Sequence, residues 1–219
     1  VVALNLANQL ADLGKFQDGI AILEGILERV PSDKSAQSNI LRMMSDIGDH
    51  KGAIAKGSLW LEQNPSTQLQ AILGVILIRD SQWELGREIL EESQADDIPR
   101  EHVHRSLGHI ALMENNIDNA IKEYQQELEH FEDPKLRMKL AKIHEQRKDW
   151  ANAAKEHCAL RKLTPNSVRV HLNCAQSLFN LEQYEEAATA LKPAQQMAPN
   201  GPFVLLLAAN ISAKKGDEV

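Results

Sequence analysis

Apolar and polar positions follow the 3.6-residue period of amphipathic helices, and the pattern repeats at spacings of 33 or 34 residues over the whole chain. A bulky column runs Phe16, His50, Trp83, Ile117, Trp150 and Tyr184. Three residues on stand Gly19, Ala53, Gly86, Ala120, Ala153 and Ala187. Upstream in the same register lie Ala7, Leu41, Gly74, Gly108, Ala141, Ala175 and Ala209. A turn-prone or polar column separates the two halves of each unit: Gly14, Gly48, Ser81, Asn115, Lys148, Glu182 and Gly216. Pro31, Pro65, Pro165 and Pro199 close four units, and Pro99 and Pro134 sit one or two places late.

Each column has a physical reason. One helix of a unit carries apolar residues on a single stripe, as in Val103, Leu107, Ile110 and Ala111. The small residue, Gly108 for example, admits a partner helix at close range. A short polar turn such as Glu114-Asn115-Asn116 then reverses the chain. The second helix faces inward with Ile117, Ala120, Ile121, Tyr124 and Leu128. Proline ends it, because proline lacks an N–H and clashes with the preceding turn. One such hairpin cannot bury its apolar face alone, so the units must stack.

Composition narrows the class. The chain is 43% hydrophobic, 25% charged and 4% aromatic, which suits a globular helical protein with a substantial core. Its net charge of −7 argues against a nucleic-acid or anionic-membrane partner. No apolar run approaches the roughly 18 residues of a membrane span. The opening Val1-Val2-Ala3-Leu4 falls in mid-pattern and reads as part of something larger. A soluble protein is expected, with the cytoplasm favoured over the periplasm.

These columns resemble the tetratricopeptide repeat family over essentially all 219 residues. The best matches run from Leu107-Gly108 through Ile117, Ala120 and Tyr124, and from Leu181 through Tyr184, Glu185-Glu186-Ala187 and Pro199. The resemblance implies an all-α fold, a right-handed α-α superhelix of about six helical hairpins plus the first helix of a seventh. The units read about 1–33, 34–66, 67–100, 101–133, 134–167 and 168–201, with a partial unit at 202–219, in a single solenoid domain. Three departures carry expectations. Gly57 stands where a second helix has a large residue, which predicts loose packing there with Trp60 compensating. Gln94 to Pro99 predicts an early end to the third unit's second helix, and Glu132-Asp133-Pro134 an irregular junction.

No phosphate loop, zinc-protease motif, nucleophile elbow or Cys-x-x-Cys pair is present, so no enzyme and no cofactor are expected. His157, Cys158, His171 and Cys174 are four soft-metal ligand types on adjacent helices. However, His157, His171 and Cys174 fall in packing columns, so they read first as core side chains, with a metal or a disulfide as the alternatives. The two cysteines imply no disulfide framework and leave the redox compartment open. His102 and His104 point about 200° apart on a helix and cannot chelate one ion.

The resemblance also implies that the first helices line a concave face along which partner segments lie. The stripe opposite their packing face holds Asn39, Arg42, His102, Arg105, His109, Lys135, Lys139, Lys142, Arg169, Asn173 and Gln176. Its basic residues, with Arg79 and Lys214 added, outnumber its acids Asp12, Asp46 and Glu145, although the chain as a whole is acidic. That segregation predicts a groove for an acidic or carboxylate-terminated peptide. Asn and Gln there suit main-chain pairing. The expected function is a non-catalytic interaction scaffold. The alternative is a docking arm of a larger enzyme, such as a glycosyl- or sulfo-transferase, or of a secretion or polysaccharide-export assembly. Phe203, Leu206 and Leu207, on a first helix without its partner, are expected to favour self-association.

Overall fold

The computed structural model describes residues 2–94 and 101–216, and among these residues it is all helix and connection, with no strand. Six helical pairs form antiparallel hairpins: α1 (Val2–Asp12) with α2 (Phe16–Leu27), α3 (Lys34–Asp46) with α4 (His50–Gln63), and α5 (Thr67–Arg79) with α6 (Trp83–Glu92). They continue as α7 (Val103–Met113) with α8 (Ile117–His130), α9 (Pro134–Gln146) with α10 (Trp150–Leu163), and α11 (Val168–Asn180) with α12 (Tyr184–Met197). A last helix, α13 (Pro202–Lys215), packs on α12. The chain divides into two compact units, one ending at His130 and one beginning at Phe131. The division falls beside Glu132-Asp133-Pro134, the junction whose sequence is irregular.

Local chemistry accounts for the helix ends. Asp33, Asp49, Asp133 and Asp149 each accept a backbone N–H from the first turn of the helix they precede. Pro134 and Pro202 occupy first-turn positions, where a missing N–H costs nothing. The turn column has one backbone signature: Gly14, Gly48, Ser81, Asn115, Lys148, Glu182 and Gly216 all have positive φ, between 57° and 85°. A left-handed residue closes the first helix of every hairpin, at a cost of about 1 kcal/mol where a side chain is carried. The short α6 ends at Glu92, an early stop for the third unit, whereas Pro99 lies outside the described residues.

In five of the six hairpins a small residue on the first helix faces a large one on the second. Gly74 leaves room for Leu90, and Gly108 for Tyr124. A Cβ added at these glycines would stand 2.7 Å from Leu90 and 2.5 Å from the Tyr124 ring. Ala7 with Leu23, Ala141 with His157 and Ala175 with Leu191 occupy the same two columns, and all six are buried. The second hairpin inverts the order. Leu41 takes the small position, fully buried, and Gly57 the large one, with a built Cβ 3.1 Å from Leu41 Cδ1 and 3.4 Å from Leu73 Cδ1. The expected loose packing at Gly57 is therefore absent: two leucines fill the space, and Trp60 packs against both neighbouring clusters, one holding Leu41 and the other Leu23.

On α13, Val204, Leu207 and Ile211 point into the core of the second unit, while Phe203, Leu205 and Leu206 are more than half exposed. The expected self-association face thus loses Leu207, which is 2% exposed, and gains Leu205.

Candidate functional site

In the first unit the stripe residues sit on α3, on α5, and on α7 and the residue preceding it. Asn39 is half-buried, and Arg42 and Arg79 are exposed. A cavity of about 170 Å³ opens between them over a floor of Ile72, Val75 and Ile76. Its cations have partners. Arg79 Nη1 donates to Ser45 Oγ at 2.9 Å and to Asp46 Oδ1 at 3.1 Å, and Arg42 Nη1 lies 3.9 Å from Glu101 Oε2. Exposed pairs of this kind contribute about 1 kcal/mol or less, so an incoming anion competes with them at little cost.

His102 and Arg105 belong to a different arrangement, which the sequence did not announce. His102 precedes α7 with a left-handed backbone, φ 73°, and its side chain makes no capping bond to the helix. The cap comes from α8. Glu127, 0% exposed, accepts the His102 N–H at 2.7 Å and the Arg105 N–H at 3.2 Å. Burial pushes this carboxyl above its ordinary range, while the two backbone donors and the Arg105 charge pull the other way. Burial likewise holds the His102 imidazole below its usual value, opposed by Glu101. The Tyr124 phenol beneath is pushed up to about 12, again by burial. His104 turns aside to Glu123, with Nδ1 and Oε2 2.8 Å apart. Exposed His109 meets the edge of the Trp83 ring, with centroids 5.9 Å apart.

The second unit is different. Lys135, Lys139 and Lys142 on α9, and Arg169 and Gln176 on α11, are all exposed. Asn173 Nδ2 reaches Met138 Sδ at 3.9 Å, which places the α9 and α11 stripes side by side. Lys142 and Arg169 make no ion pair among the described residues. Glu145, the one acid of this stripe, is held by the buried imidazole of His157, Nε2 to Oε1 2.9 Å. Gln176 donates to Asn180 Oδ1 at 3.1 Å. Below the stripe Arg137, one side-chain turn away from it, bridges Glu132 and buried Glu156, donating to Glu156 Oε2 at 2.7 Å. That hydrogen bonding holds the Glu132 carboxyl below the usual carboxylate range.

The cysteines require a correction. Cys158 on α10 and Cys174 on α11 form a disulfide, with Cα atoms 4.8 Å apart, and are not independent core side chains. Their columns face each other across the junction of the fifth and sixth hairpins, and that facing was the one signal available in the sequence. The histidines beside them point elsewhere: His157 to Glu145, and His171 Nε2 to the Pro165 carbonyl at 2.8 Å. Among the described residues no three His, Cys, Asp or Glu side chains converge as metal ligands. No described helix is long and apolar enough to cross a membrane.

Serial antiparallel hairpins with a small-against-large interface and a left-handed turn define the all-α helical-repeat class. The chain matches the tetratricopeptide repeat family over residues 4–67 and 105–168, more than half its length, and belongs to that family. Solved structures agree in fold. PilF of Pseudomonas aeruginosa is 16% identical with a TM-score of 0.68, covering 97% of this chain and 96% of its own. Cut9, solved with Hcn1 as an APC/C hetero-tetramer, is 16% identical with a TM-score of 0.63 over 95% of this chain, which spans only 42% of the Cut9 structure's chain. YrrB, a repeat protein with an unusual peptide-binding site, is 16% identical with a TM-score of 0.57, covering 84% of this chain and 96% of its own. Comparison with curated proteins finds no match. Tetratricopeptide repeats generally serve as protein–protein interaction scaffolds and are typically non-catalytic adaptors.

Proposed function

We propose that this chain is a non-catalytic interaction scaffold that binds an extended acidic segment of a partner protein along the α9–α11 face of the second unit. The observation that carries the reading is the row of exposed cations Lys135, Lys139, Lys142 and Arg169 flanking the Asn173–Met138 contact, with half-exposed Glu145 held by the buried His157. Coulomb attraction at such a face favours a chain of carboxylates and raises the encounter rate. Asn173 and Gln176 stand where an extended main chain needs donors and acceptors. The first unit contributes less, because Arg42 and Arg79 already lie beside Glu101 and Asp46. The peptide-binding site of YrrB and the hetero-tetramer of Cut9 accord with the reading through the shared fold.

The test is fluorescence titration with Asp/Glu-rich peptides against scrambled neutral ones. Saturable binding is expected, weakening roughly tenfold or more between low and physiological salt. Lys139→Glu with Arg169→Glu should abolish it. Unchanged affinity in that double variant removes the reading. A second reading, self-association, is supported by exposed Phe203, Leu205 and Leu206 on α13. Sedimentation at increasing concentration checks it, with Phe203→Glu expected to return the protein to monomer.

A further inference from the structure

The Cys158–Cys174 bond has an unusual neighbour. Arg161, one helical turn after Cys158 on α10, places Nη1 3.7 Å from Cys174 Sγ. That sulfur is its one polar contact among the described residues: Nε is buried without a hydrogen-bond partner, and no carboxylate lies within ion-pair range. A partly buried guanidinium normally finds an anion, since an unpaired charge away from water is costly. Among the described residues the one group positioned to become an anion beside it is Cys174, as a thiolate. The two cysteines are also unequal in exposure: Cys174 is 0% exposed, whereas Cys158 is half-buried.

We propose that Cys158–Cys174 is a reversible thiol–disulfide exchange site, in which an external low-molecular-weight thiol attacks Cys158 and Cys174 leaves as a thiolate received by Arg161. In the first step the external thiolate forms a bond to Cys158 Sγ as the Cys158–Cys174 bond breaks, and the electron pair departs on Cys174. In the second step another external thiolate attacks the mixed disulfide on its external sulfur, releasing the Cys158 thiolate. The protein cystine is reduced, and two external thiols are oxidised to one disulfide. Reoxidation by an external disulfide retraces the path, with Cys158 carrying the adduct until the Cys174 thiolate displaces it. A neighbouring cation favours the thiolate form and so speeds its departure. The bond joins α10 to α11, so opening it removes the covalent tie between consecutive repeats on which Arg169, Asn173 and Gln176 are mounted.

Peptide mapping of the protein purified without reductant, with free thiols alkylated, tests the bond first. Two alkylated cysteines there overturn the proposal. The wild-type disulfide is then treated briefly with reduced glutathione, quenched in acid and mapped, which needs no variant. An adduct on Cys158 is expected, and an adduct predominantly on Cys174 overturns the assignment. Cys174→Ser, reacted with glutathione disulfide, should take up one glutathione at least about tenfold faster than Cys158→Ser, and equal rates count against it. Arg161→Gln should slow reduction by dithiothreitol by roughly three- to tenfold, with Arg161→Lys restoring much of the rate. Helical circular dichroism verifies that these variants are folded. A folded Arg161→Gln protein reduced as fast as wild type removes Arg161 from the mechanism.

Discussion

Exchanging the sizes of Leu41 and Gly57 tests the central packing rule of these hairpins. Five hairpins place the small residue on the first helix and the large one on the second, and α3–α4 does the reverse. Leu41→Ala removes a fully buried isobutyl group facing a glycine, which has no side chain to relax into the void, so a loss of about 3–4 kcal/mol is expected. Gly57→Leu gains about 0.8 kcal/mol of helix propensity. It also drives a side chain into space where even a Cβ lies 3.1 Å from Leu41 Cδ1, an overpacking cost of about 1–3 kcal/mol. The double variant gives the second hairpin the arrangement of its neighbours, with the new leucine filling the volume that residue 41 vacates. Its loss should be smaller than that of Leu41→Ala alone, a coupling of about 2–3 kcal/mol. Urea denaturation followed by helical circular dichroism, with midpoint and slope fitted for all four proteins, measures that coupling. Additivity within about 0.5 kcal/mol would show that the two columns do not share one volume, and the complementarity argument would fail.

Two further outcomes follow from the shifted carboxyls. Burial raises the Glu127 carboxyl, so its contribution is fully present below the unfolded value near 4.5 and is lost as pH rises through the folded one. Glu127→Gln should therefore lose its stability deficit against wild type progressively from pH 4 to pH 7, and a deficit that widens with pH refutes the sign. Glu132, held low by Arg137, works the opposite way, contributing above 4.5 and losing that contribution as pH falls. Arg137→Met strands the buried Glu156 carboxylate and should cost about 3 kcal/mol at pH 7, and the part of that loss due to Glu132 should shrink as pH falls below 4.5, read by thermal or urea unfolding.

Much of the fold was legible because its determinants are local and repeated. Gly14, Ser81, Asn115 and Glu182 mark one left-handed position whatever their side chains, since the register identifies it. The Leu41–Gly57 inversion was written in two columns, but reading Gly57 without its facing residue turned a filled site into an expected gap. Glu127 was illegible because the N–H it caps belongs to His102, 25 residues earlier, and no short motif encodes that pairing. The stripe illustrates the same limit. Its lysines on α9 were recognisable as exposed, whereas the neutralisation of Arg42 depends on Glu101, a residue outside the stripe. Cys174 reads as a packing residue because its repeat equivalents pack, and the facing of the two cysteine columns permits a bond without requiring one.

The borrowed cap on α7 has a consequence for the order of assembly. A helix that carries its own Asp or Ser at the start can flicker into existence alone, on the microsecond scale. The first turn of α7 has no such resident and must wait for a carboxylate delivered by the returning helix of the same hairpin. The fourth hairpin should consequently form in a single concerted event, with amides His102 and Arg105 gaining exchange protection together with those flanking Glu127.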